Sequence, residues 1–372
     1  MKVFYIDTTK YKKNKNNFDH LILKDVPIPN PKKNELLIKT LSCGLCATDI
    51  SKILNLSNNR QNLKKKIYLG HEVIGKVIKS GDKKFKYLEG KNVAIGDISV
   101  CKSFSFKHEC NNCRKKRGIY CINKHKKKNK PKVYAGFSEY FVRTPQQCIV
   151  LNNNANITDN IFIEPLSSCL NLLRNSNLND KILINGFGTI AILFYKLLLT
   201  KKYKNENIFF SDDISTYKKN FLIKNNAQLV SLKLKKNNNK FTVCYDFNER
   251  FIGDINLTSS MLPFSKIILF GLNNSYKKNS DLSEIVQKAI KIIGVHGYSS
   301  QKKNNKYITD LEIASKIIHK NAIDTDDLIE DVFPLEKIRN KIIKILKNIS
   351  KKKKRFYFRT IFVNNKKVDL KC

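Results

Sequence analysis

A chain of 372 residues exceeds what one ordinary hydrophobic core can hold, so the sequence predicts two domains. Its 41% hydrophobic content can fill such cores and excludes a disordered chain. The formal net charge is +40, but the lysines are scattered along the chain and mixed with asparagine, which favours a solvated surface over a nucleic-acid-binding face.

The predicted elements change in type along the chain. Strands are predicted in the segments 34–44, 71–83, 91–95, 136–143, 181–185, 208–211, 264–272, 288–298 and 355–363. One helix is predicted at 160–176 and another directly after the glycine turn at 186–188. Two more are predicted at 310–323 and 335–349. The strand, glycine turn, helix and second strand within 181–213 form the βαβ pattern of a parallel sheet.

Membrane insertion and export are not expected. No stretch reaches the roughly 18 consecutive apolar residues of a membrane span, and the first residues lack the apolar segment of a signal peptide. We therefore expect a cytoplasmic protein without membrane contacts. Its ten cysteines are then expected to be reduced thiols and metal ligands, not disulfides.

The βαβ segment carries a dinucleotide fingerprint. Gly186 permits the tight turn after the strand, Gly188 lets the backbone approach a pyrophosphate, and Thr189 and Ile190 open the helix whose N-terminus would receive it. Ala191 in the third glycine position is an accepted variant of this pattern. The strand and helix around the motif favour cofactor binding over a tight turn without a ligand.

An acidic residue should end the next strand and bind the ribose hydroxyls. Asp212 and Asp213 stand there, and we assign the role to Asp213. A carboxylate at this place repels a 2′-phosphate, so NAD is favoured over NADP. Lys218, five residues further on, is expected to contact the cofactor and to moderate that preference.

Two groups of possible metal ligands stand outside the βαβ segment. Cys46 and His71 lie in "CGLCATDI" and "LGHEVIG", and three cysteines spaced C-x₂-C-x₇-C follow at Cys110, Cys113 and Cys121. Three thiolates are one ligand short of a closed tetrahedral zinc site.

These motifs in this order resemble the zinc-dependent medium-chain alcohol/polyol dehydrogenase family, sorbitol dehydrogenase-like members included, over nearly the whole chain. The family's "C-x-[ST]-D" appears as residues 46–49 and its "G-H-E-x-x-G" as residues 70–75. The resemblance implies an α/β fold, with a doubly wound Rossmann domain and a GroES-like distorted β-barrel catalytic domain. It assigns residues 1–155 and 305–372 to the zinc-binding catalytic domain and 156–304 to the dinucleotide-binding domain.

The resemblance also implies a catalytic zinc held by Cys46 and His71. The third ligand in the polyol branch is the Glu of "E-P-L", here Glu164, whereas the alcohol branch has a Cys at the position of Ser168. We choose Glu164 and interpret the neighbouring Cys169 as a core thiol. The resemblance makes Glu72 a neighbouring carboxylate and Asp49 the partner that orients His71.

Three protein ligands leave an open position on zinc, where an alcohol loses its proton near neutral pH and can give up hydride to the nicotinamide. Thr48 is expected to pass the proton outward, although a plain hydroxyl at a helix start is the alternative.

The family also carries a structural zinc lobe with four cysteines. Strict spacing puts the first ligand at Lys107, which cannot bind zinc while protonated. Aligning the strand that leads into the lobe brings Cys101 to that position and makes 102–107 an insertion in a surface loop. His108 is a second candidate for the fourth ligand, and a lobe without metal is the remaining alternative.

We therefore expect a zinc-dependent oxidoreductase that transfers hydride between NAD(H) and a secondary alcohol of a polyol, sugar or diol, phosphorylated ones included. The resemblance implies a dimer or tetramer. One alternative is a basic, zinc-lobed protein of the same fold that binds a polyanion without catalysis. A metal-free relative that reduces activated double bonds is the other, and the presence of Cys46, His71 and Glu164 together argues against it.

Overall fold

A computed structural model gives the fold of the chain. The residues that it describes are 1–11, 17–54, 56, 65–103, 105–124, 134–152, 156–211, 214–232, 240–247, 255–271, 282–350 and 358–364. The chain divides into two compact units, Met1–Pro165 with Ser299–Cys372, and Leu166–Tyr298. The domain limits given by the sequence resemblance, 155/156 and 304/305, stay a prediction.

The strands of the described residues are β1 (Lys2–Asp7), β2 (Leu21–Asp25), β3 (Leu36–Leu45), β4 (Lys66–Tyr68), β5 (Glu72–Ser80), β6 (Asn92–Ile95), β7 (Tyr140–Arg143), β8 (Cys148–Val150), β9 (Ile182–Asn185), β10 (Ile208–Ser211), β11 (Gln228–Val230), β12 (Phe241–Asp246), β13 (Met261–Phe270), β14 (Lys291–Val295), β15 (Ser300–Lys303), β16 (Lys306–Thr309), β17 (Ile329–Pro334) and β18 (Arg359–Val363).

The helices are α1 (Ala47–Leu54), α2 (Val100–Ser103), α3 (Asn111–Arg114), α4 (Ile163–Leu173), α5 (Thr189–Thr200), α6 (Thr216–Lys224), α7 (Ile255–Ser259), α8 (Ser283–Gln287), α9 (Asp310–His319) and α10 (Ile338–Ser350). Within the described part of the chain, none of them has the length and apolar character needed to cross a membrane.

The first unit is built around a mostly antiparallel sheet. Its described strands follow the order β17-β18-β3-β5-β6-β8, with β7 paired to β3. A smaller sheet, β2-β1-β4, packs into the same apolar core. Helix α10 closes this core with Ile338, Ile342, Ile345 and Leu346, which recur at the spacing of one helical face.

The second unit contains a parallel sheet whose described strands follow the order β11-β10-β9-β12-β13-β14. The chain starts at β9, moves outward through β10 and β11, and returns to continue from β12, which is the doubly wound arrangement. Strand β9 is therefore central, and Ile182, Leu183 and Ile184 are fully buried in it. The predicted βαβ segment is confirmed.

Several predicted elements differ in extent from the structure, and the cause is clear for two of them. In the segment 136–143 only Tyr140–Arg143 forms a strand, because Phe137 and Ser138 instead face β1: the Phe137 carbonyl accepts from Phe4 N–H and Ser138 bridges Val3. The predicted helix at 160–176 starts as a tight 3₁₀ turn at Asp159–Phe162. It then continues as α4, with Pro165 in the first turn, where its missing N–H costs nothing.

Candidate functional site

The strand-to-helix junction between β3 and α1 positions Cys46, Thr48 and Asp49. Asp49 lies in the first turn of α1, where its Oδ2 accepts from the Cys46 N–H at 3.2 Å. Its Oδ1 accepts from the Gly70 N–H at 3.3 Å. Asp49 is fully buried. The carboxylate therefore ties the Cys46 segment to the segment that leads into His71.

The imidazole of His71 lies between Asp49 and Thr48. Its Nδ1 is 3.5 Å from Asp49 Oδ1, and its Nε2 is 3.4 Å from the Thr48 hydroxyl. The hydroxyl and Nε2 are exposed, whereas the carboxylate is not. A carboxylate behind Nδ1 fixes the ring orientation and leaves Nε2 as the outward nitrogen.

Ligand atoms of Cys46, His71 and Glu72 lie within 4.8 Å of one another. A thiolate, an imidazole and a carboxylate form a donor set that suits zinc. Glu164 was the third ligand chosen from the sequence, and its oxygens do not lie within this distance of all three. It is partly buried at the start of α4 and interacts electrostatically with His71, Glu72 and Arg359.

Glu72 is held by Arg359 in a buried, two-pronged ion pair. Arg359 Nε donates to Glu72 Oε2 and Nη2 donates to Oε1, each at 2.5 Å, and both side chains are at most 3% exposed. Arg359 Nη2 also lies 3.8 Å from Cys46 Sγ. Sequence reasoning missed Arg359, although an arginine directly before the residues "TIFV" of the predicted strand is a signal that could have pointed to it.

A glycine between these two charged residues makes the pair possible. Glu72 on β5 and Ile361 on β18 both pair with Gly44 on β3, so the ion pair has to pass over the middle strand. A Cβ on Gly44 would lie 2.7 Å from Glu72 Oε2. Because Gly44 has no side chain, Arg359 and Glu72 can meet across β3.

The charges of this site perturb its titrating groups. Burial lowers the pKa of His71, but Asp49 and the Cys46 sulfur outweigh burial and hold it well above the ordinary value. Burial raises the pKa of Asp49, but the nearby His71 and the hydrogen bonds that Asp49 accepts outweigh burial and bring this pKa below its ordinary value. Burial, with Glu72 nearby, raises the pKa of Glu164 to about 7.

The predicted lobe cysteines form a second cluster. The sulfurs of Cys101, Cys110, Cys113 and Cys121 lie within 4.8 Å of one another, and those of Cys101 and Cys121 are 3.6 Å apart. His108, the other candidate for the fourth ligand, is exposed and outside this cluster. The structure therefore brings Cys101 to the place that the strand alignment gave it, despite the lengthened loop.

Amide groups of the lobe point at these sulfurs. Cys101 N–H donates to Cys113 Sγ and Cys110 N–H donates to Cys101 Sγ, both at 3.4 Å. Asn123 donates its backbone N–H to Cys121 Sγ and its side-chain amide to Cys101 Sγ, also at 3.4 Å. Burial raises the pKa of Cys110, but the N–H groups of Cys113 and Ile122 bring it down to about 7. Such donors suit thiolates, the form in which cysteine binds metals.

The glycine turn of the second unit lies at the carboxyl end of β9. Gly186 and Gly188 have φ values of 121° and 156°, which residues with a side chain rarely adopt. Gly188 caps α5, and Thr189 and Ile190 form the first turn of that helix. The unbonded N–H groups of a helix start favour an anion such as a pyrophosphate.

Asp213 and Lys218 were predicted to contact the cofactor after the second strand of the βαβ segment, and the structure describes only Lys218. Lys218 lies in the first turn of α6, and its Nζ is 5.3 Å from the centroid of the Phe187 ring within the glycine turn. Phe221 packs edge-on against the same ring at 5.6 Å. Asp213 lies outside the described residues.

Three polar side chains that the sequence did not single out end adjacent strands beside the glycine turn. Ser211 Oγ donates to Asn185 Oδ1 at 2.9 Å, and Asn185 Nδ2 donates to Asp246 Oδ1 at 2.8 Å. All three are buried at the last residues of β10, β9 and β12. These two hydrogen bonds link the carboxyl ends of the three adjacent strands and hold them in register beside the glycine turn.

Residues 32–153 match the alcohol dehydrogenase GroES-like domain. An L-threonine 3-dehydrogenase of Xanthomonas oryzae pv. oryzae (strain MAFF 311018) is 33% identical over 101 residues. That match covers 27% of this chain and 28% of the relative's length.

Solved structures share the fold over almost the full chain. A short chain alcohol dehydrogenase from E. coli CFT073, complexed with NADH, has a TM-score of 0.75 at 18% identity and covers 98% of this chain and 99% of its own. Galactitol-1-phosphate dehydrogenase from Escherichia coli has a TM-score of 0.73 at 20% identity and covers 98% and 100%. Residues 32–153 therefore belong to the alcohol dehydrogenase GroES-like domain family, and the predicted fold class, a doubly wound Rossmann domain with a GroES-like domain, is confirmed.

Proposed function

We propose that the protein is a zinc-dependent oxidoreductase that transfers hydride between NAD(H) and the secondary alcohol of a small polyol, sugar or diol. The observation that carries the proposal is the convergence of Cys46, His71 and Glu72, with Asp49 directly behind the imidazole. A phosphorylated substrate and a dimeric or tetrameric assembly belong to the same proposal. The cytoplasm is its proposed location.

Cys46 and His71 are the proposed zinc ligands, with Glu164 as the third. Glu72 is the nearer carboxylate, but the bidentate contact with Arg359 already neutralises it. Burial disfavours the charged form of Glu164 and raises its pKa to about 7. A dication would offset that burial cost, and this supports Glu164 as the ligand that completes the set.

Zinc would supply Lewis acidity at the substrate oxygen, and the nicotinamide would supply the hydride acceptor. Asp49 holds the His71 ring so that Nε2 faces outward. The Thr48 hydroxyl, 3.4 Å from Nε2 and exposed to solvent, carries the proton of the alcohol away from the site. Arg359 holds the Glu72 side chain in place, and its Nη2, 3.8 Å from the Cys46 sulfur, offsets negative charge there.

Gly186, Gly188, Thr189 and Ile190 are proposed to bind the pyrophosphate of the dinucleotide. NAD is favoured over NADP on the sequence argument from Asp213, with Lys218 moderating the preference. The lobe of Cys101, Cys110, Cys113 and Cys121 is proposed to bind a structural zinc ion that stiffens the loop. The relatives are dehydrogenases, and for this reason the non-catalytic polyanion-binding alternative is not favoured.

The metal assignment is tested by zinc content and turnover of matched variants. Wild-type protein should retain two zinc ions per chain, Cys46→Ser should retain one and lose turnover, and Cys169→Ser, which changes a buried thiol outside both clusters, should keep both ions and turnover. Glu164→Ala should weaken the binding of the same zinc ion that is lost in Cys46→Ser. Full zinc occupancy and turnover in Glu164→Ala would instead leave Glu72 as the third ligand.

A further inference from the structure

The four-cysteine lobe needs more than cysteines to hold a cation. Four thiolates carry more negative charge than one divalent ion can cancel, so their stability depends on N–H donors around them. The lobe also has a very small apolar core, whose buried members are Val100, Cys101, Cys113 and Cys121. Hydrogen bonds to sulfur therefore contribute a large share of what fixes the geometry.

Cys101 is the least constrained of the four ligands by sequence. Eight residues separate it from Cys110, whereas two separate Cys110 from Cys113. Its sulfur accepts two hydrogen bonds, one from the Cys110 backbone and one from the Asn123 side chain. Asn123 also donates its backbone N–H to Cys121, so one residue links two sulfurs from opposite ends of the lobe.

We propose that Asn123 is a positioning residue of the lobe: its side-chain amide holds Cys101 in the metal-binding set and reduces the nucleophilicity of the bound thiolate. This inference rests on the metal occupancy proposed above. A hydrogen bond to a charged acceptor stabilises by more than a neutral one, so its removal should be measurable even with all four cysteines present.

The test compares Asn123→Ala and the equal-sized Asn123→Asp with Asn112→Ala. Asn112 lies in the same lobe and donates its side-chain amide to the Tyr120 carbonyl at 2.7 Å, so it controls for the loss of an amide hydrogen bond that does not reach sulfur. Cobalt(II) replaces zinc, and the sulfur-to-cobalt charge-transfer band that disappears in Cys101→Ser is assigned to the lobe. Zinc transfer to a chelator and alkylation by iodoacetamide are followed on the zinc-loaded proteins.

Both Asn123 variants should release the lobe zinc roughly tenfold faster than wild type, with the larger effect in Asn123→Asp, because its carboxylate repels the thiolates. Their charge-transfer band should move to lower energy and their alkylation should be faster, because the sulfur regains electron density. Asn112→Ala should match wild type in all three readouts. The inference would be overturned if the Asn123 variants matched Asn112→Ala in the rate of zinc release, the energy of the charge-transfer band and the rate of alkylation. If wild-type protein binds no metal that depends on Cys101, the proposed occupancy is wrong and the inference fails with it.

Discussion

Removal of Arg359 should destabilise the first unit far more than an ordinary surface arginine change. In Arg359→Met, Glu72 would remain 1% exposed and without its two 2.5 Å hydrogen bonds. Breaking a buried ion pair from one side costs about 3–5 kcal/mol, because the remaining charge stays out of water. We expect a loss of this size in the free energy of unfolding.

Two further variants separate this cause from simple truncation. Glu72→Leu/Arg359→Met removes both charges and should recover most of the loss, since an apolar pair often replaces a buried ion pair at little cost. Arg339→Met is the control, because Arg339 donates to the carbonyls of Leu21 and Phe18, and its loss should cost about 1 kcal/mol.

Urea denaturation of the metal-free proteins, followed by circular dichroism, gives these free energies. Metal-free protein keeps the measurement separate from any loss of zinc ligands. A double variant that is as unstable as Arg359→Met would refute the reasoning, because the penalty would then come from lost packing. A loss in Arg359→Met no larger than in Arg339→Met would refute it as well.

Three other predictions concern stability. Gly118→Ala should cost about 1–3 kcal/mol, because a Cβ there would lie 2.4 Å from the Asp97 carbonyl oxygen, whereas Gly294→Ala has open space and should be neutral in the same denaturation assay. Burial lowers the pKa of His20 below 6.5, so the unfolded chain binds more protons than the folded chain, and stability should fall as the pH drops from about 7 to 5. The melting temperature of His20→Gln should lack this part of the pH dependence. An equal change of melting temperature with pH in His20→Gln and wild type would contradict the prediction. Removal of zinc by a chelator should lower the melting temperature of wild-type protein more than that of Cys101→Ser, and equal shifts would count against zinc in the lobe.

Features encoded by neighbouring residues could be predicted from the sequence. The glycine turn, its strand and its helix lie within a short segment, so the residue pattern predicted the βαβ segment, and the family resemblance implied the doubly wound sheet. The four lobe cysteines were also identified, because the strand that leads into Cys101 could be aligned although the spacing was unusual. Metal binding by these clusters stays a prediction.

Features that depend on contacts between distant segments could not be predicted. Arg359 and Glu72 are 287 positions apart and meet only because β18 and β5 flank Gly44 of β3. The same difficulty affects Glu164, whose distance from Cys46 and His71 depends on the start of α4. The hydrogen bonds from Asn123 to the cysteine sulfurs depend on how the lobe folds back on itself, and no local sequence pattern predicts them.

The most direct test of the central proposal is the formation of NADH by zinc-loaded protein with NAD⁺ and a panel of polyols, sugars, sugar phosphates, diols and simple alcohols. The account predicts turnover with one class of secondary alcohol, and its loss in Cys46→Ser but not in Cys169→Ser. Equal turnover in Cys46→Ser, or no turnover on any substrate by protein that binds both zinc and NAD, would contradict it.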